Sequence, residues 1–217
     1  MAQEGIEHRK VRLKQILTLL DQEFPEPQIA LLHRNPFELL IATILSAQCT
    51  DERVNKVTTK LFEEAPSPKS LAELPLKKIE KLIGSVNFFR NKSKNLKICA
   101  KQLVELHNGE VPSTREALVE LAGVGRKTAN VVLGNAFGKP SVVVDTHVKR
   151  LSNRLKFSRS SDPEHIEKDL ETIVDKSRWI DFSHLLILHG RKYCKALRPQ
   201  CEKCPIQSLC PSKIVRV

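Results

Sequence analysis

The sequence predicts an all-α fold, on three observations. Apolar residues recur at helical spacing along most of the chain, and the segments between them are short turns rich in proline and polar residues. Only residues 141–144 look strand-like, and four residues without a partner cannot build a sheet. The first segment, 4–24, places Val11, Leu13, Ile16, Leu17 and Leu20 among charges, which reads as an amphipathic helix ended by Pro25 and Pro27. Asn35 followed by Pro36 has the form of a cap and a first-turn proline. The pair opens the apolar run 37–45, and a helix apolar all round belongs in the middle of a bundle. The polar stretch 46–51 then caps a helix over 52–62.

Short helices are expected at 69–74 and 75–86, then a longer one at 90–107 closed by Asn108 and Gly109. The helix 114–121 runs into Gly123-Val124-Gly125, and another, 128–137, leaves it. Asp145 and Thr146 cap a helix reaching Leu155, Asp162-Pro163 starts the next, and 179–193 forms the last long one. The expected fold is thus about ten helices with short connections and no repeat or low-complexity tract.

With 217 residues the chain can form one domain or two small ones with a sizeable core. A formal charge of +11 and pI near 9.5 point to a polyanionic partner. Nucleic acid suits this better than a membrane surface, because no basic amphipathic helix stands out. No apolar run approaches the ~20 residues of a membrane span. The start, MAQEGIEHRK, carries charges where a signal peptide needs a hydrophobic block, so an intracellular, cytoplasmic location is expected, nucleoid-associated if bacterial. Six cysteines in a reducing compartment are then metal ligands or buried thiols rather than disulfides.

The stretch 121–145, LAGVGRKTANVVLGNAFGKPSVVVD, carries the first chemical signal. Gly123 and Gly125 allow the main chain unusual angles and close approach to a ligand. Amides exposed at the next helix start form an anion site, for which phosphate is the natural ligand. Arg126 and Lys127 follow directly, and a lysine at the positive end of a helix dipole is expected to favour its free amine.

The second signal is Cys194, Cys201, Cys204 and Cys210, spaced C-x6-C-x2-C-x5-C among Pro199, Pro205 and Pro211. Four thiolates so close in sequence can converge on one inorganic centre, and either zinc or [4Fe–4S] fits their number. Around them Arg191, Lys192, Lys195, Arg198 and Lys203 face one acid of the segment, Glu202, which suggests a phosphate clamp. Cys49 and Cys99 are expected to be core thiols.

Together these motifs resemble the endonuclease III family of iron–sulfur helix-hairpin-helix DNA glycosylases and AP lyases. The resemblance runs nearly end to end, through PFELLIATILSAQCTD, LAGVGRKTANVV, VVVDTHVKR, LILHGRKYC and the four cysteines, in order. It implies two helical lobes with the active site in the cleft between them. The lobes would be residues 1–27 with 140–217, carrying a [4Fe–4S] cluster on the four cysteines, and 28–139, carrying the hairpin. It also implies removal of oxidised or saturated pyrimidines from double-stranded DNA by a monomer, followed by cleavage at the abasic site.

Lys127 and Asp145 match the family's catalytic lysine and aspartate. Gly123, Gly125 and Arg126 fall on the hairpin that grips a phosphate. Gln48 matches a residue that fills the gap left by a flipped nucleotide, and Phe88 falls where relatives carry an apolar wedge. Lys192, Lys195 and Arg198 are the basic residues expected to meet DNA beside the cluster. His147 matches a position near the aspartate, where a structural role is expected.

Two departures stand out. Ala122 replaces the usual proline, which should loosen the turn slightly, and Asn87 replaces a glycine, with asparagine expected to tolerate left-handed angles. Two rival readings are a non-catalytic iron–sulfur DNA-binding or redox module and an adenine-mismatch glycosylase. The latter is disfavoured by Lys127 itself, by the lack of a carboxylate near Thr43 or Ile44, and by the lack of an added C-terminal domain.

Overall fold

The structure is a computed structural model that describes residues 4–214; positions 1–3 and 215–217, the outer ends of the first expected lobe, lie outside the described residues. Among the described residues are eleven α-helices, three single turns of 3-10 helix and no strand. The chain divides into two compact units. One combines the ends of the chain, up to Gln28 and from Pro140, and the other is Ile29–Lys139. No described helix is long and apolar enough to cross a membrane.

Helix α1 (Ile6–Glu23) opens the first unit and buries Leu13, Ile16, Leu17 and Leu20 on one face, leaving Val11 of the expected stripe exposed. The second unit begins with α2 (Pro36–Ser46), capped by the Asn35 side chain, which accepts the Glu38 amide at 2.9 Å. Every residue from Phe37 to Leu45 is buried. The one carboxylate among them, Glu38, is accommodated because Arg34 donates to it from Nε, Nη2 and the backbone. Helix α3 (Asp51–Glu64) is capped by Thr50 and α4 (Pro68–Glu73) by a Ser67–Ser70 capping box.

Helix α5 (Leu76–Leu82) stops four residues before the expected end, and the chain turns through Gly84 with Val86 N–H bonded to Ile83 O. Helix α6 (Phe89–His107) ends in a left-handed Asn108. After α7 (Arg115–Val119), α8 (Arg126–Phe137) begins two residues earlier than its apolar pattern suggests, which places Lys127 in its first turn. Packing of α2 on α8 and of α4 on α6 forms the framework of this unit.

The first unit resumes with residues 141–144, buried but in neither helix nor strand; Val143 N–H donates to Ser183 Oγ at 3.0 Å. Helices α9 (Thr146–Arg154), α10 (Pro163–Ile173) and α11 (Trp179–Lys192) close around α1. Phe157 and Phe182 are fully buried there, each contributing ~2–3 kcal/mol by removal from water. Of the two cysteines assigned to the core, Cys99 is fully buried, and burial pushes its thiol up to about 12. Cys49 is only half-buried, because α2 ends at Ser46 and the chain bends outward before α3.

At the α9–α11 crossing, a Cβ on Gly190 would lie 2.8 Å from His147 Nδ1 and 3.1 Å from Arg150 Nη2. Gly190→Ala is therefore expected to destabilise the fold by ~1–3 kcal/mol through overpacking, seen as a lower urea midpoint. An unchanged midpoint would contradict the tight crossing.

Candidate active site and nucleic-acid interface

The glycine turn is pinned from both sides. Leu121 and Val124 are buried, and Gly123 adopts φ +80° against α2 and α6. A Cβ on Gly123 would sit 3.0 Å from Asn95 Cβ and 3.3 Å from Ile44 Cγ2, so the position excludes other residues by both angle and space. Gln102 of α6 clasps the turn, donating to Glu120 O and accepting the Ala122 amide at 2.8 Å. The loosening expected of Ala122 is thus offset: a proline would have no N–H to give. Gly125 brings no side chain to cap α8, and nothing lies within 4 Å of where its Cβ would be. The helix start is therefore open to an outside anion. Arg126 beside it is half-buried, and Lys127 is exposed with no hydrogen bond or ion pair to any described residue.

Two further turns of the same unit carry Gln48 and Phe88. Both are exposed and both adopt left-handed angles, φ 54° and 58°, uncommon for residues other than glycine. The expectation for Asn87 is corrected here: the left-handed residue is Phe88. Asn87 instead spends its side chain on the other turn, donating from Nδ2 to Gln48 O at 2.6 Å.

Asp145 caps α9, with Oδ1 accepting the amides of His147 and Val148 at 2.8 Å each. Its other oxygen has no protein donor among the described residues. His147 is held by its neighbours: Arg150 Nη2 lies 3.1 Å from Nδ1. Burial pushes its pKa below the usual histidine range, with Asp145 opposing and Arg150 and Arg191 reinforcing.

Helix α9 also fastens the cysteine segment. Arg150 donates to Cys194 O from Nε and Nη2, while Arg154 donates to Lys195 O, to Ala196 O and, at 3.2 Å, to Cys194 Sγ. Cys194, Cys201, Cys204 and Cys210 line one cavity, backed by Ile206 and His189. The buried His189 places Nε2 3.6 Å from Cys204 Sγ. Burial pushes the Cys204 thiol up to about 11, and the other three sulfurs add to the rise, as groups sharing one small space must.

Among the described residues no three His, Cys, Asp or Glu side chains gather closely enough to hold a single metal ion. Four thiols around a common cavity, with Arg154 and His189 beside two of them, fit an iron–sulfur cluster: the sulfurs are the ligands such a cluster needs, and cationic and N–H groups suit its negative thiolates.

Lys195 and Arg198 are exposed, Arg198 with a left-handed φ of 54°. Lys192 is already engaged, hydrogen-bonded to Glu23, which also accepts from the Tyr193 hydroxyl at 2.7 Å. The acid that balances it comes from α1, far away in sequence. Gln102, Glu23, Arg150 and Arg154 all escape a reading of motifs. Only the arginine pair leaves a trace, as cations four apart on the helix that Asp145 starts.

Residues 41–176 match the family described as HhH-GPD superfamily base excision DNA repair proteins, and residues 194–210 match the iron–sulfur binding domain of endonuclease III. The chain is similar to the endonuclease III of Synechocystis, 49% identical over 94% of each chain. That of Escherichia coli is 44% identical over 94% of this chain and 97% of its own. Among solved structures, an endonuclease III in a trapped covalent intermediate with DNA superimposes with a TM-score of 0.89 at 46% identity. It is matched over 94% of this chain and 96% of its own. A non-covalent endonuclease III–DNA complex gives 0.90 with the same identity and coverage.

Anaerobically purified protein is expected to be brown and to contain iron, and Cys204→Ser to lose most of both in absorption and metal analysis. Colourless protein with stoichiometric zinc would exclude the cluster.

Proposed function

The chain belongs to the endonuclease III family of base excision repair enzymes, DNA glycosylases and AP lyases with a [4Fe–4S] cluster, and we propose that Lys127 and Asp145 carry its chemistry. The single observation that supports this best is the Lys127 amine, exposed and unpartnered in the first turn of α8, next to an open anion site. A phosphate held at that helix start would bring the adjoining sugar to the amine. As the glycosidic bond breaks and its electrons leave with the base, positive charge develops on the sugar, and the Asp145 carboxylate supports it through the oxygen not used in capping.

Nζ of Lys127 then bonds to C1′ and sheds a proton; the C1′–O4′ bond breaks as the nitrogen lone pair forms the imine, and O4′ takes up a proton as the 4′-hydroxyl of the opened sugar. The imine acidifies the C2′ proton; once that proton is removed, the electron pair expels the 3′ phosphate and the strand is cut. One covalent intermediate accounts for both outcomes. The substrates in this reading are oxidised or saturated pyrimidines in double-stranded DNA, processed by a monomer.

Gln48 fills the space of the expelled nucleotide and Phe88 wedges the neighbouring step. Gly123, Gly125 and Arg126 hold the phosphate, and Lys195 and Arg198 meet the backbone beside the cluster. Lys192, bonded to Glu23, contributes mainly to the local positive field. Cys194, Cys201, Cys204 and Cys210 would hold the cluster, which would cross-link the loop that carries these cations.

Borohydride added to protein and abasic DNA should capture a covalent complex that disappears in Lys127→Ala. Capture undiminished in that variant would assign the amine elsewhere, and none in the unsubstituted protein would favour a non-catalytic module. Asp145→Asn keeps a good cap on α9, so DNA affinity should hold while single-turnover base release falls ~100-fold or more. Excision at the original rate would remove Asp145 from the mechanism.

A further inference from the structure

Lys92 sits near the start of α6, 7% exposed, with no carboxylate paired to it among the described residues. Taking an ammonium out of water is costly, so its surroundings must offset the loss with directed hydrogen bonds. The side chain donates to Leu45 O at 2.7 Å and to Ala47 O at 2.6 Å. These carbonyls belong to the end of α2, where no amide of a further turn is available to them. The next residue is the left-handed Gln48.

The other end of Lys92 reaches the second turn: its backbone N–H donates to O of the left-handed Phe88 at 3.0 Å. Asn87 Nδ2 closes the circuit on Gln48 O, and Arg53 of α3 adds a bond to Ser85 O. Left-handed angles are strained for such residues and persist only where surrounding bonds enforce them. Here two residues tie the turns together: Asn87 through its bond to Gln48 O, and Lys92, whose ammonium holds the end of α2 while its amide bonds Phe88 O.

We propose that Lys92 is a positioning residue for base excision: by drawing in the Leu45 and Ala47 carbonyls it presets Gln48 against Phe88, so that the two side chains enter a duplex as one unit. This rests on the reading of Gln48 and Phe88 given above. Burial lowers the pKa of the ammonium, with the Cys49 thiol opposing, which agrees with a cation placed for geometry rather than for surface charge. Steps that must expel a base from the stack then depend on Lys92. Imine formation on an abasic sugar in single-stranded DNA, where no stack has to be opened, does not.

The test compares two reactions: single-turnover excision of a damaged pyrimidine from duplex DNA, and borohydride capture on a single-stranded abasic oligonucleotide. Lys92→Met is expected to slow the first ~10-fold or more and change the second less than ~2-fold. Lys92→Arg, which keeps the cation, should recover part of the loss. Added to Gln48→Ala/Phe88→Ala, Lys92→Met should cost nothing further, because the side chains it positions are gone.

Equal loss in both reactions, in step with a lower urea midpoint, would reduce Lys92 to a structural residue and overturn the inference. So would a full additional loss in the triple variant. If Lys92→Met does not fold, Lys92→Gln keeps a bond to one carbonyl, and the same contrast decides. Two controls separate this inference from the reading beneath it. Unsubstituted protein that is never captured overturns the lyase assignment and this inference with it. A Gln48→Ala/Phe88→Ala protein that excises normally overturns the role of the two side chains, whatever Lys92 does.

Discussion

The missing side chain at position 123 is the constraint on which the second unit is arranged. Without a Cβ, the turn before α8 lies directly against Asn95 of α6 and Ile44 of α2. Helix α2 ends at the turn holding Gln48, and α6 begins at the turn holding Phe88. The open start of α8, the backbone that carries Lys127 and the left-handed pair are thereby fixed with respect to one another by three helices of a single unit. A methyl group at 123 would have to push all three apart, whatever it did to the backbone angle.

The other unit solves a different problem. The segment 193–213 has few apolar residues to bury and cannot order itself through a core. Guanidinium groups on α9 take up carbonyls of Cys194, Lys195 and Ala196, so the loop is held by directed hydrogen bonds before any cluster is considered. Glu23 of α1 fastens Lys192 and Tyr193 from the opposite direction. The cations of this region accordingly differ in kind: Arg150, Arg154 and Lys192 are spent within the fold, while Lys195 and Arg198 point to solvent.

What could be read from the sequence follows the range of the forces involved. Caps act within three residues, so Asn35, Asp145 and Asp162 announce their helices correctly, as does the buried run that becomes α2. The cysteines and the glycine turn are legible because ligands and angles demand particular residue types at fixed spacing. Lys92 is not, because a lysine destined for burial beside two carbonyls looks like any lysine on an amphipathic helix. Asn87 misleads for a related reason: its left-handed propensity is a local fact, whereas its use is a bond to a residue 39 positions away. The end of α5 and the half-exposure of Cys49 lie at turns, where the hydrophobic period gives no signal.

Asp145 shows how a folding contact can aim a carboxylate. With Oδ1 tied to two amides, the direction of Oδ2 is dictated by the helix axis rather than by any separate side chain. Terminal turns are the parts of a helix that fray most readily, on a local equilibrium well below global unfolding. Each such opening swings the carboxylate out of alignment while the rest of the unit stays folded. Under the role proposed for Asp145, mild warming slows base release before the protein melts, and amide exchange at His147 and Val148 gauges how often the carboxylate is aimed.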